Sequence, residues 1–310
     1  MKFKKIVGID DIGFTEASLR KLQSFSAEPI AISAVDPSSS EEVAERMKGA
    51  DCVLVSWRTP ITRRHIEAAP DLKYIGMCCS LYDEVSANVD IAAAKEFQVK
   101  VSGVRDYADD GMVELLLAQL IFLLKGIGGL QWQAEARELQ SLRMGVIGLG
   151  ATGGMMARAA QALGVDVVYF SRSRQPDAEE RGIRFRKLAD LLRTSDVVTT
   201  HLPRHTRLLG AQEFALLREG TILINTSIGP TFDVEAFRAW MSSGRNFAIM
   251  DAVGAGEFGD EFSRIPRLIF HDLVAGWSQE ARVRLAEGAI ANVRLHLEAG
   301  ESSAEAKRSA

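Results

Sequence analysis

Six residues between two apolar runs carry the clearest chemical signal in the chain. The sequence GLGATG, residues 148–153, follows the short apolar run 144–147, and a helical period starts at Met155. A strand, a glycine-rich turn and a helix in this order form a unit that binds the pyrophosphate of a dinucleotide. The helix N-terminus offers N–H groups and a positive dipole end to the phosphates. The spacing predicts a dinucleotide site, with a plain strand-turn-helix as the simpler alternative.

Each glycine of this turn has an expected task. Gly148 allows the tight turn, Gly150 lets the backbone approach the pyrophosphate, and Gly153 lets the helix pack closely on the strand. Ala151 and Thr152 complete the loop and are expected to contact the cofactor as well.

The end of the next strand, predicted at 166–170, indicates which dinucleotide is bound. An NAD site usually carries Asp or Glu there, about 20 residues beyond the glycines, to bind the ribose 2′-OH. This chain has Ser171, Arg172, Ser173 and Arg174 instead. Arg binds a 2′-phosphate through bidentate charge-assisted bonds. NADP is therefore predicted in preference to NAD, which stays possible; a solvated basic turn without a ligand is the simpler alternative.

The composition is typical of a globular protein with two domains. The chain has 310 residues, 47% of them hydrophobic and 25% charged, and its net charge of −4 gives no reason to expect nucleic acid or a membrane surface as a partner. Three cysteines, Cys52, Cys78 and Cys79, lie near apolar runs and predict reduced, buried thiols in a cytoplasmic protein. The adjacent pair could instead mark a reactive site, but no metal-ligand spacing accompanies it, and no metal site is predicted. No signal peptide or membrane span is expected.

Short apolar runs and helical periods alternate along the whole chain, which predicts an α/β protein with doubly wound parallel sheets. Besides 144–148 and 166–170, strands are predicted at 5–9, 30–33, 52–56, 74–77, 99–101, 197–200, 222–225, 247–251 and 268–270. Helices are predicted at 15–22, 62–69, 89–97, 109–124, 187–192, 212–217, 233–241 and 278–299. Thr15 and either Asp109 or Asp110 are expected to cap their helices, and residues 300–310 to form a frayed tail.

Eight segments together resemble the D-isomer-specific 2-hydroxyacid dehydrogenases, over nearly the full length of the chain. They are RTPITRRHIEAAPDLKYIG (58–76), ANVDIAAAKEFQVKV (87–101), MVELLLAQLIFLL (112–124), GVIGLGATGG (145–154), THLPRHT (200–206), INTSIGPTFD (224–233), MDAVGAGE (250–257) and VAGWSQEA (274–281). The resemblance implies two Rossmann-like domains, with a dinucleotide-binding domain at 106–274 inserted in a flavodoxin-like substrate domain at 1–105 plus 275–310. It also implies a cleft active site, a small-molecule substrate and, commonly, a homodimer built around the cofactor domains.

Members of that family reduce 2-oxo acids, or oxidise 2-hydroxy acids, by hydride transfer with a nicotinamide cofactor. In the family, an Arg in an NTSRG-like motif clamps the substrate, a His in a PHIAG-like motif protonates the carbonyl oxygen, and a Glu orients that His. In this chain the Arg position is Ile228 and the His position is Leu273, while Glu257 stands at the Glu position. The substrate loop at 80–86 also departs from the usual glycine-rich run.

The resemblance also implies a set of cofactor contacts. In addition to the glycine loop and the turn 171–174, these are Leu202, Pro203, Thr206, Thr226, Asp251 and Gly276, with Asp251 on the nicotinamide carboxamide. Ala151 replaces an Arg often found in the loop, which removes one phosphate contact. For Pro203 and Thr206, ordinary loop chemistry is the simpler explanation.

Candidate replacements for the missing proton donor lie in two segments. His271 lies two places before Leu273, and if it ends a strand, the period of 2 puts both side chains on one face; a structural His is the simpler interpretation. Tyr82, Asp83 and Glu84 lie in the expected substrate loop and are further candidates, although a polar surface turn explains them equally well. His201 and His205 are interpreted as solvated residues of the cofactor-facing loop.

A 2-oxo acid would bring its carboxylate next to Ile228, where no forked donor compensates the charge. Leu273 cannot donate a proton to the alkoxide that forms in ketone reduction. The sequence therefore predicts an NADP-preferring oxidoreductase with an altered substrate, either a carbonyl compound without a carboxylate or an imine. A catalytically inactive NADP(H)-binding or regulatory protein is the alternative. A third interpretation is ketone reduction restored by His271 or the Tyr82 loop.

Overall fold

The computed structural model describes the backbone of residues 1–308 and the side chains through residue 300. The chain divides into two compact units, which we treat separately. The first unit comprises Met1–Tyr107 and Ser278–Ala310, and the second comprises Ala108–Trp277.

The first unit is built on a five-stranded parallel sheet in the order β2-β1-β3-β4-β5. Its strands are β1 (Ile6–Gly8), β2 (Ala31–Ile32), β3 (Cys52–Val55), β4 (Tyr74–Met77) and β5 (Lys100–Gly103). Its helices are α1 (Glu16–Gln23), α2 (Ser40–Met47), α3 (Arg63–Glu67) and α4 (Ile91–Glu96), together with the last helix of the chain, Gln279–Arg308, which is α13 below.

Two hydrophobic cores lie on the two faces of this sheet. One packs α2, α3 and α4 against the strands, and the other packs α1 and α13 through side chains such as Leu22, Leu285 and Val293. Burial on both faces explains why β3 and β4 are continuously apolar. The cap predicted at Thr15 is confirmed, since its side chain accepts a hydrogen bond from the N–H of Ser18 at 3.2 Å.

The second unit is built on a seven-stranded parallel sheet in the order β12-β11-β10-β9-β6-β7-β8. Its strands are β6 (Arg143–Ile147), β7 (Asp166–Phe170), β8 (Arg184–Phe185), β9 (Val197–Thr200), β10 (Ile222–Asn225), β11 (Phe247–Asp251) and β12 (Leu268–His271). Its helices are α5 (Asp109–Lys125), α6 (Ala151–Ala162), α7 (Pro176–Glu180), α8 (Leu188–Thr194), α9 (Ala211–Phe214), α10 (Val234–Ser242), α11 (Ala252–Ala255) and α12 (Gly259–Phe262). Short 3₁₀ turns lie at Leu139–Ser141 and Gly256–Phe258.

The strand order of this sheet reverses between β6 and β9. From β6 the chain proceeds outward through β7 and β8, then returns to place β9 on the other side of β6. In open parallel sheets, the carboxyl ends of the strands at such a reversal leave a crevice in which ligands bind. The glycine loop follows β6 directly, so it lies at this crevice.

The predicted fold class, parallel α/β with two sheets, is confirmed. The strands predicted at 74–77, 166–170, 197–200, 222–225 and 247–251 have the observed bounds. The prediction missed α2, α7, β8, α11 and α12, and it extended the helix at 212–217 beyond its observed end at Phe214. A frayed tail from residue 300 was wrong for the part that is described, because α13 continues to Arg308; residues 309 and 310 lie outside the described residues.

The predicted cap of α5 was also wrong. Ala108 holds the N-cap position and makes no side-chain hydrogen bond, so neither Asp109 nor Asp110 caps the helix. The carboxylate of Asp109 instead accepts a hydrogen bond from the hydroxyl of Thr152, at the start of α6. Among residues 1–308, no helix combines the length and the apolar character that a membrane span requires.

Candidate functional site

The glycine loop has two positions that exclude a side chain and one that is open. Gly148 has φ +90°, and a β-carbon there would lie 2.2 Å from the carbonyl oxygen of His201. A β-carbon on Gly153 would lie 2.0 Å from the carbonyl oxygen of Gly148. At Gly150 no atom would lie within 4 Å of a β-carbon. Gly148 and Gly153 therefore build the turn, while Gly150 leaves free space at the start of α6.

These residues fit the pyrophosphate of a dinucleotide. Gly150 is the N-cap of α6, a helix of 12 residues. The first turn of such a helix presents N–H groups without partners inside the helix, and its dipole favours an anion. Ala151 is exposed there, whereas the hydroxyl of Thr152 is already bonded to Asp109. The predicted contact of Thr152 with the cofactor would therefore be made by its backbone rather than by its hydroxyl.

The basic turn after β7, residues 171–174, has fewer side chains available to bind a ligand than its sequence indicates. The guanidinium of Arg174 forms a two-point ion pair with Glu179 and lies over the ring of Phe185 at 5.4 Å. The hydrogen bond from Arg174, together with that from the hydroxyl of Tyr169, lowers the pKa of Glu179 to about 2. Arg174 therefore already has a carboxylate partner, and we correct its expected role as a free phosphate ligand.

The other residues of this turn differ in availability. The hydroxyl of Ser171 donates to the carbonyl oxygen of Ser173, which closes the turn on itself. Arg172 is exposed and forms no ion pair with any described residue. Arg172 is thus the cation of the turn that a phosphate could reach without breaking an existing pair.

A pocket of about 210 Å³ adjoins the glycine loop. It is lined by Leu149, Gly150, Gly154, Arg158, Gln175, Asp177, Ala178, Arg181 and Ile183. Sequence reasoning missed Arg158 and Arg181. A signal was present for the first, because Arg158 lies four residues after Gly154, which puts it on the same face of α6, over the glycine loop.

The loop after β9 lies against the glycine loop, since the carbonyl of His201 approaches Gly148. His201 is half-buried, and its Nε2 lies 3.0 Å from the hydroxyl of Thr199. Burial lowers the pKa of His201 from 6.5 to about 4. The interpretation of His201 as a solvated residue was therefore wrong, and the ring is neutral at physiological pH.

The remaining loop residues are held by the backbone. The N–H of Leu202 donates to the hydroxyl of Ser227 at 3.1 Å, and the N–H of Thr206 donates to the carbonyl of Pro203 at 3.2 Å. His205 is exposed and has φ +65°. The contacts of Leu202, Pro203 and Thr206 with a cofactor stay predictions.

Neutral His201 makes the protein sensitive to acid. Because its pKa is lower in the folded than in the unfolded protein, its contribution to stability is full above pH 6.5 and is lost as the pH falls toward 4. We expect His201→Gln, which keeps a partner for Thr199, to reduce the loss of unfolding free energy between pH 7 and 4.5 by about 2 kcal/mol. Urea unfolding followed by tryptophan fluorescence measures this, with His205→Gln as the control. An unchanged pH dependence in His201→Gln would contradict the assignment.

A buried polar network fixes the loops at the carboxyl ends of β9, β10 and β11. The side-chain oxygen of Asn225 accepts from the hydroxyl of Thr200 at 2.9 Å, and its NH₂ group donates to the carbonyls of Gly254, at 2.9 Å, and Gly229, at 3.2 Å. The hydroxyl of Thr226 donates to the sulfur of Met112 at 3.2 Å. These bonds hold the segment that contains Ile228 against α11.

Asp251 is buried at the end of β11 and uses both carboxylate oxygens. Oδ1 accepts from the N–H of Gly254 at 2.7 Å, and Oδ2 accepts from the N–H of Ala275 at 2.8 Å. Desolvation raises the pKa of Asp251 to about 6, against the lowering effect of these bonds. Asp251 is only 2% exposed, and its two hydrogen bonds join α11 to the segment after β12. Its contact with the nicotinamide carboxamide stays a prediction.

The three positions of the family's catalytic residues lie at the carboxyl ends of β10, β11 and β12, which we call the catalytic edge. The carbonyl of Leu273 accepts from the N–H of Ala252 at 3.0 Å, and the N–H of Gly229 donates to Val253 at 2.9 Å. The segments that carry Ile228 and Leu273 are thereby both tied to α11, the helix that precedes Glu257. Ile228 is half-buried, Glu257 is exposed and Leu273 is 45% exposed.

His271 does not replace the missing acid in this geometry. β12 ends at His271, and the N–H of Leu273 donates back to its carbonyl at 2.8 Å, so the chain turns and the argument from a period of 2 does not apply. The Nε2 atom of His271 is buried and has no hydrogen-bond partner among the described residues. Burial lowers the pKa of this imidazole, which favours the neutral form.

Gly276 is required by packing. A β-carbon there would lie 2.5 Å from the carbonyl oxygen of Ala108, so the residue closes the second unit where α5 begins. Its predicted contact with the cofactor stays a prediction.

Tyr82 belongs to the first unit. Its ring is 48% exposed and lies 5.4 Å from the guanidinium of Arg105, which also donates to the carbonyl of Leu81 at 2.9 Å. Cys52, Cys78 and Cys79 are buried, and burial raises the pKa of the first two thiols. Buried thiols of this kind are poor nucleophiles. Among the described residues, no group of three or more His, Cys, Asp or Glu side chains is arranged to hold a metal ion.

The fold and the glycine loop are typical of a domain that binds a nicotinamide dinucleotide, and the comparisons with known proteins agree. Residues 124–270 match the family model for the D-isomer specific 2-hydroxyacid dehydrogenase, NAD binding domain. A hydroxypyruvate reductase from Blautia hydrogenotrophica is 27% identical over 61% of this chain and 63% of its own length. Similarity to the D-isomer-specific 2-hydroxyacid dehydrogenase family is therefore established for the NAD-binding domain, residues 124–270.

Solved structures share the fold over nearly the whole chain. A D-lactate dehydrogenase from Aquifex aeolicus, complexed with NAD and lactic acid, has a TM-score of 0.81 and is 20% identical, covering 95% of this chain and 96% of its own. An acyclic imino acid reductase in complex with NADPH and D-Arg has a TM-score of 0.80 and is 22% identical, covering 95% of this chain and 97% of its own. At these identities the likeness extends to the fold alone.

Proposed function

We propose that this protein is an NADP-preferring oxidoreductase whose substrate is an imine, or a carbonyl compound without a carboxylate. One contrast carries the proposal. The turn that would hold the dinucleotide is complete, with free space at Gly150, while Ile228 and Leu273 stand where the family has its clamp and its acid.

Electrostatics opposes the substrates that are usual in the family. A carboxylate moved from water to the neighbourhood of Ile228 loses its hydration and gains no cationic partner there. A ketone that accepts hydride develops negative charge on its oxygen, and Leu273 offers neither a proton nor a positive group. The same substitutions do not disfavour a neutral or cationic substrate.

A protonated imine fits the residues that remain. It carries its positive charge and its proton before the reaction, so hydride transfer yields a neutral amine without a separate acid. Glu257 is an exposed carboxylate of the catalytic edge, and a negative charge favours the protonated form of a nearby imine. The imino acid reductase with NADPH supports the proposal to the extent that this fold accommodates imine reduction.

The tasks of the chain's own residues follow from their positions. The backbone at Gly150 and the first turn of α6 would bind the pyrophosphate, and Arg172 would bind the 2′-phosphate. Glu257 would stabilise the cationic carbon–nitrogen bond, and the apolar side chains of Ile228 and Leu273 present no competing charge to it. The bound reduced nicotinamide supplies the hydride. The first unit serves as the substrate domain. The three free, buried cysteines support the proposal of a cytoplasmic location.

The proposal is tested by following NADPH oxidation with a panel of aldehydes, ketones and amine–carbonyl mixtures that form imines. We expect turnover with imines to exceed turnover with glyoxylate or pyruvate by at least about 100-fold, since the clamp and the acid each contribute factors of this order in enzymes. Rapid reduction of pyruvate by the wild-type protein would contradict it.

The loss of both catalytic groups also favours a second candidate, an inactive NADP(H)-binding or regulatory protein. This candidate predicts NADPH binding by calorimetry without turnover on any member of the panel. Turnover with one imine, abolished by Glu257→Gln while NADPH binding persists, would exclude it.

We also propose a homodimer, supported by α5 and the turn that follows it. Leu115, Ala118 and Phe122 lie on one face of α5 and are half-buried or exposed, and Ile127 follows. Phe122 is 43% exposed and Ile127 is 53% exposed. Exposed apolar stripes of this kind are typical of subunit contacts.

Charges on this face should separate the subunits. We expect Phe122→Lys with Ile127→Lys to weaken the dimer by at least about 30-fold, because two ammonium groups would be buried without partners. Sedimentation velocity over a dilution series measures the dissociation constant. Leu163→Lys, at an apolar residue of the same unit that is 48% exposed, is the matched control and should leave the dimer intact. A wild-type protein that is monomeric at micromolar concentration would contradict the proposal.

A further inference from the structure

The pocket beside the glycine loop contains two cations that the family motifs do not assign. Arg158 and Arg181 line it together with Leu149 and Gly150. The pocket therefore begins at the residues proposed to bind the pyrophosphate. Gln175, one position after the basic turn, lines it as well, so the pocket connects the two segments that meet the ribose end of the dinucleotide.

Arg158 is held over the glycine loop by the geometry of α6. Its Nη1 atom lies 3.3 Å from the position that a β-carbon on Gly154 would take. The missing side chain at Gly154 thus makes room for the guanidinium to fold back toward the first turn. There it adds its charge to the positive end of the helix dipole.

The charges of the pocket favour an anion. Arg158 and Arg181 are exposed and form no ion pair with any described residue, in contrast to Arg174, which is bound to Glu179. Asp177 is the carboxylate among the lining residues. Two unpaired guanidinium groups and a helix N-terminus outweigh it.

We propose that Arg158 and Arg181 form the subsite for the 2′-phosphate of the dinucleotide and determine the preference for NADP over NAD. The inference rests on the proposed function, because it assigns residues to the cofactor named there. These two arginines replace Arg174 as the expected phosphate ligands, because the ion pair between Arg174 and Glu179 would have to break before Arg174 could bind phosphate. Arg172 then closes the subsite from the turn.

Calorimetry with cofactor fragments tests the subsite without requiring turnover. The probes are 2′,5′-ADP, which carries the 2′-phosphate, 5′-AMP, which lacks it, and inorganic phosphate. We expect the wild-type protein to bind 2′,5′-ADP at least about tenfold more tightly than 5′-AMP, the factor of one charge-assisted contact. Arg158→Gln and Arg181→Gln should each reduce this ratio at least about fivefold and leave 5′-AMP binding within about twofold.

Two further variants separate position from net charge. Gly154→Ala keeps every charge and puts a β-carbon 3.3 Å from Nη1 of Arg158, so the guanidinium must shift by a few tenths of an ångström; it should lower the ratio by less than Arg158→Gln does. Arg193→Gln removes one exposed arginine that does not line the pocket, and it should leave the ratio unchanged. Circular dichroism melts establish that each variant is folded.

The outcomes for the subsite and for the reaction are distinct. An unchanged ratio in both Arg158→Gln and Arg181→Gln, or inorganic phosphate binding as tightly as 2′,5′-ADP, would overturn the subsite. Equal affinity of the wild-type protein for the two nucleotide fragments would also overturn it, while NADH-dependent turnover would still support an oxidoreductase. Loss of the ratio in the variants, combined with no turnover on any substrate, would support the subsite and contradict the proposed reaction.

Discussion

Gly150→Ala is expected to eliminate measurable NADPH binding and to leave the fold unchanged. Gly150 has φ −80°, which alanine adopts without strain, and no atom lies within 4 Å of the added β-carbon. The methyl group would instead occupy the space through which a pyrophosphate approaches the N-terminus of α6. We expect the dissociation constant for NADPH to rise at least about 100-fold, because the phosphate contacts to the backbone are lost.

Gly153→Ala, in contrast to Gly150→Ala, is expected to destabilise the fold. Its β-carbon would lie 2.0 Å from the carbonyl oxygen of Gly148, a backbone atom that cannot move without opening the turn. We expect a loss of about 3 kcal/mol or more in the free energy of unfolding. Urea unfolding measures this loss, and calorimetry with NADPH measures the effect at Gly150.

A second pair of variants separates backbone strain from collision. Gly148 (φ +90°) and Gly244 (φ +84°) have the same left-handed backbone conformation. A β-carbon added to Gly148 would lie 2.2 Å from the carbonyl oxygen of His201, whereas one added to Gly244 would have no atom within 4 Å. Gly244→Ala should cost about 1 kcal/mol, the price of the left-handed conformation. Gly148→Ala should cost clearly more.

NADPH binding by Gly150→Ala at the wild-type level would show that the loop does not hold the cofactor.

The strands of this fold could be predicted because each one is buried on both faces. β9 is a run of valine and threonine, and β10 and β11 are apolar up to one polar residue at the last position, Asn225 and Asp251. Short helices such as α11 and α12 could not be found in this way, because four residues do not complete an apolar period. Helix ends were displaced where turns continue the pattern, as after Phe214.

The chemistry of individual side chains was harder to predict because it depends on partners distant in sequence or hidden in a turn. Asp109 has the residue type and position of a helix cap, but it bonds to Thr152, 43 residues later. Arg174 has the position of a phosphate ligand, but α7 brings Glu179 close enough to form an ion pair with it. His271 was placed on the face of Leu273 by assuming that the strand continued, whereas the chain turns after it.

The double substitution Ile228→Arg and Leu273→His is expected to create reduction of 2-oxo acids. Leu273 is 45% exposed, so a histidine fits there without moving neighbours, and Ile228 is half-buried in a segment held by Asn225. The arginine would compensate the substrate carboxylate with a forked donor, and the histidine would protonate the developing alkoxide. We expect kcat/KM for glyoxylate with NADPH to rise at least about 100-fold over the wild-type protein.

A second double variant, Ile228→Gln with Leu273→Asn, introduces polar side chains at both positions without the charge or the acid of the first. It should show no gain, which would assign the effect to the guanidinium and the imidazole. Addition of Glu257→Gln to the active double variant should reverse most of the gain, because the new histidine would lose the carboxylate that orients it and favours its protonated form. If the double variant binds NADPH with wild-type affinity but remains inactive on every 2-oxo acid, the catalytic edge has changed in more than two side chains. The altered substrate would then depend on the shape of that edge as well as on its lost charges.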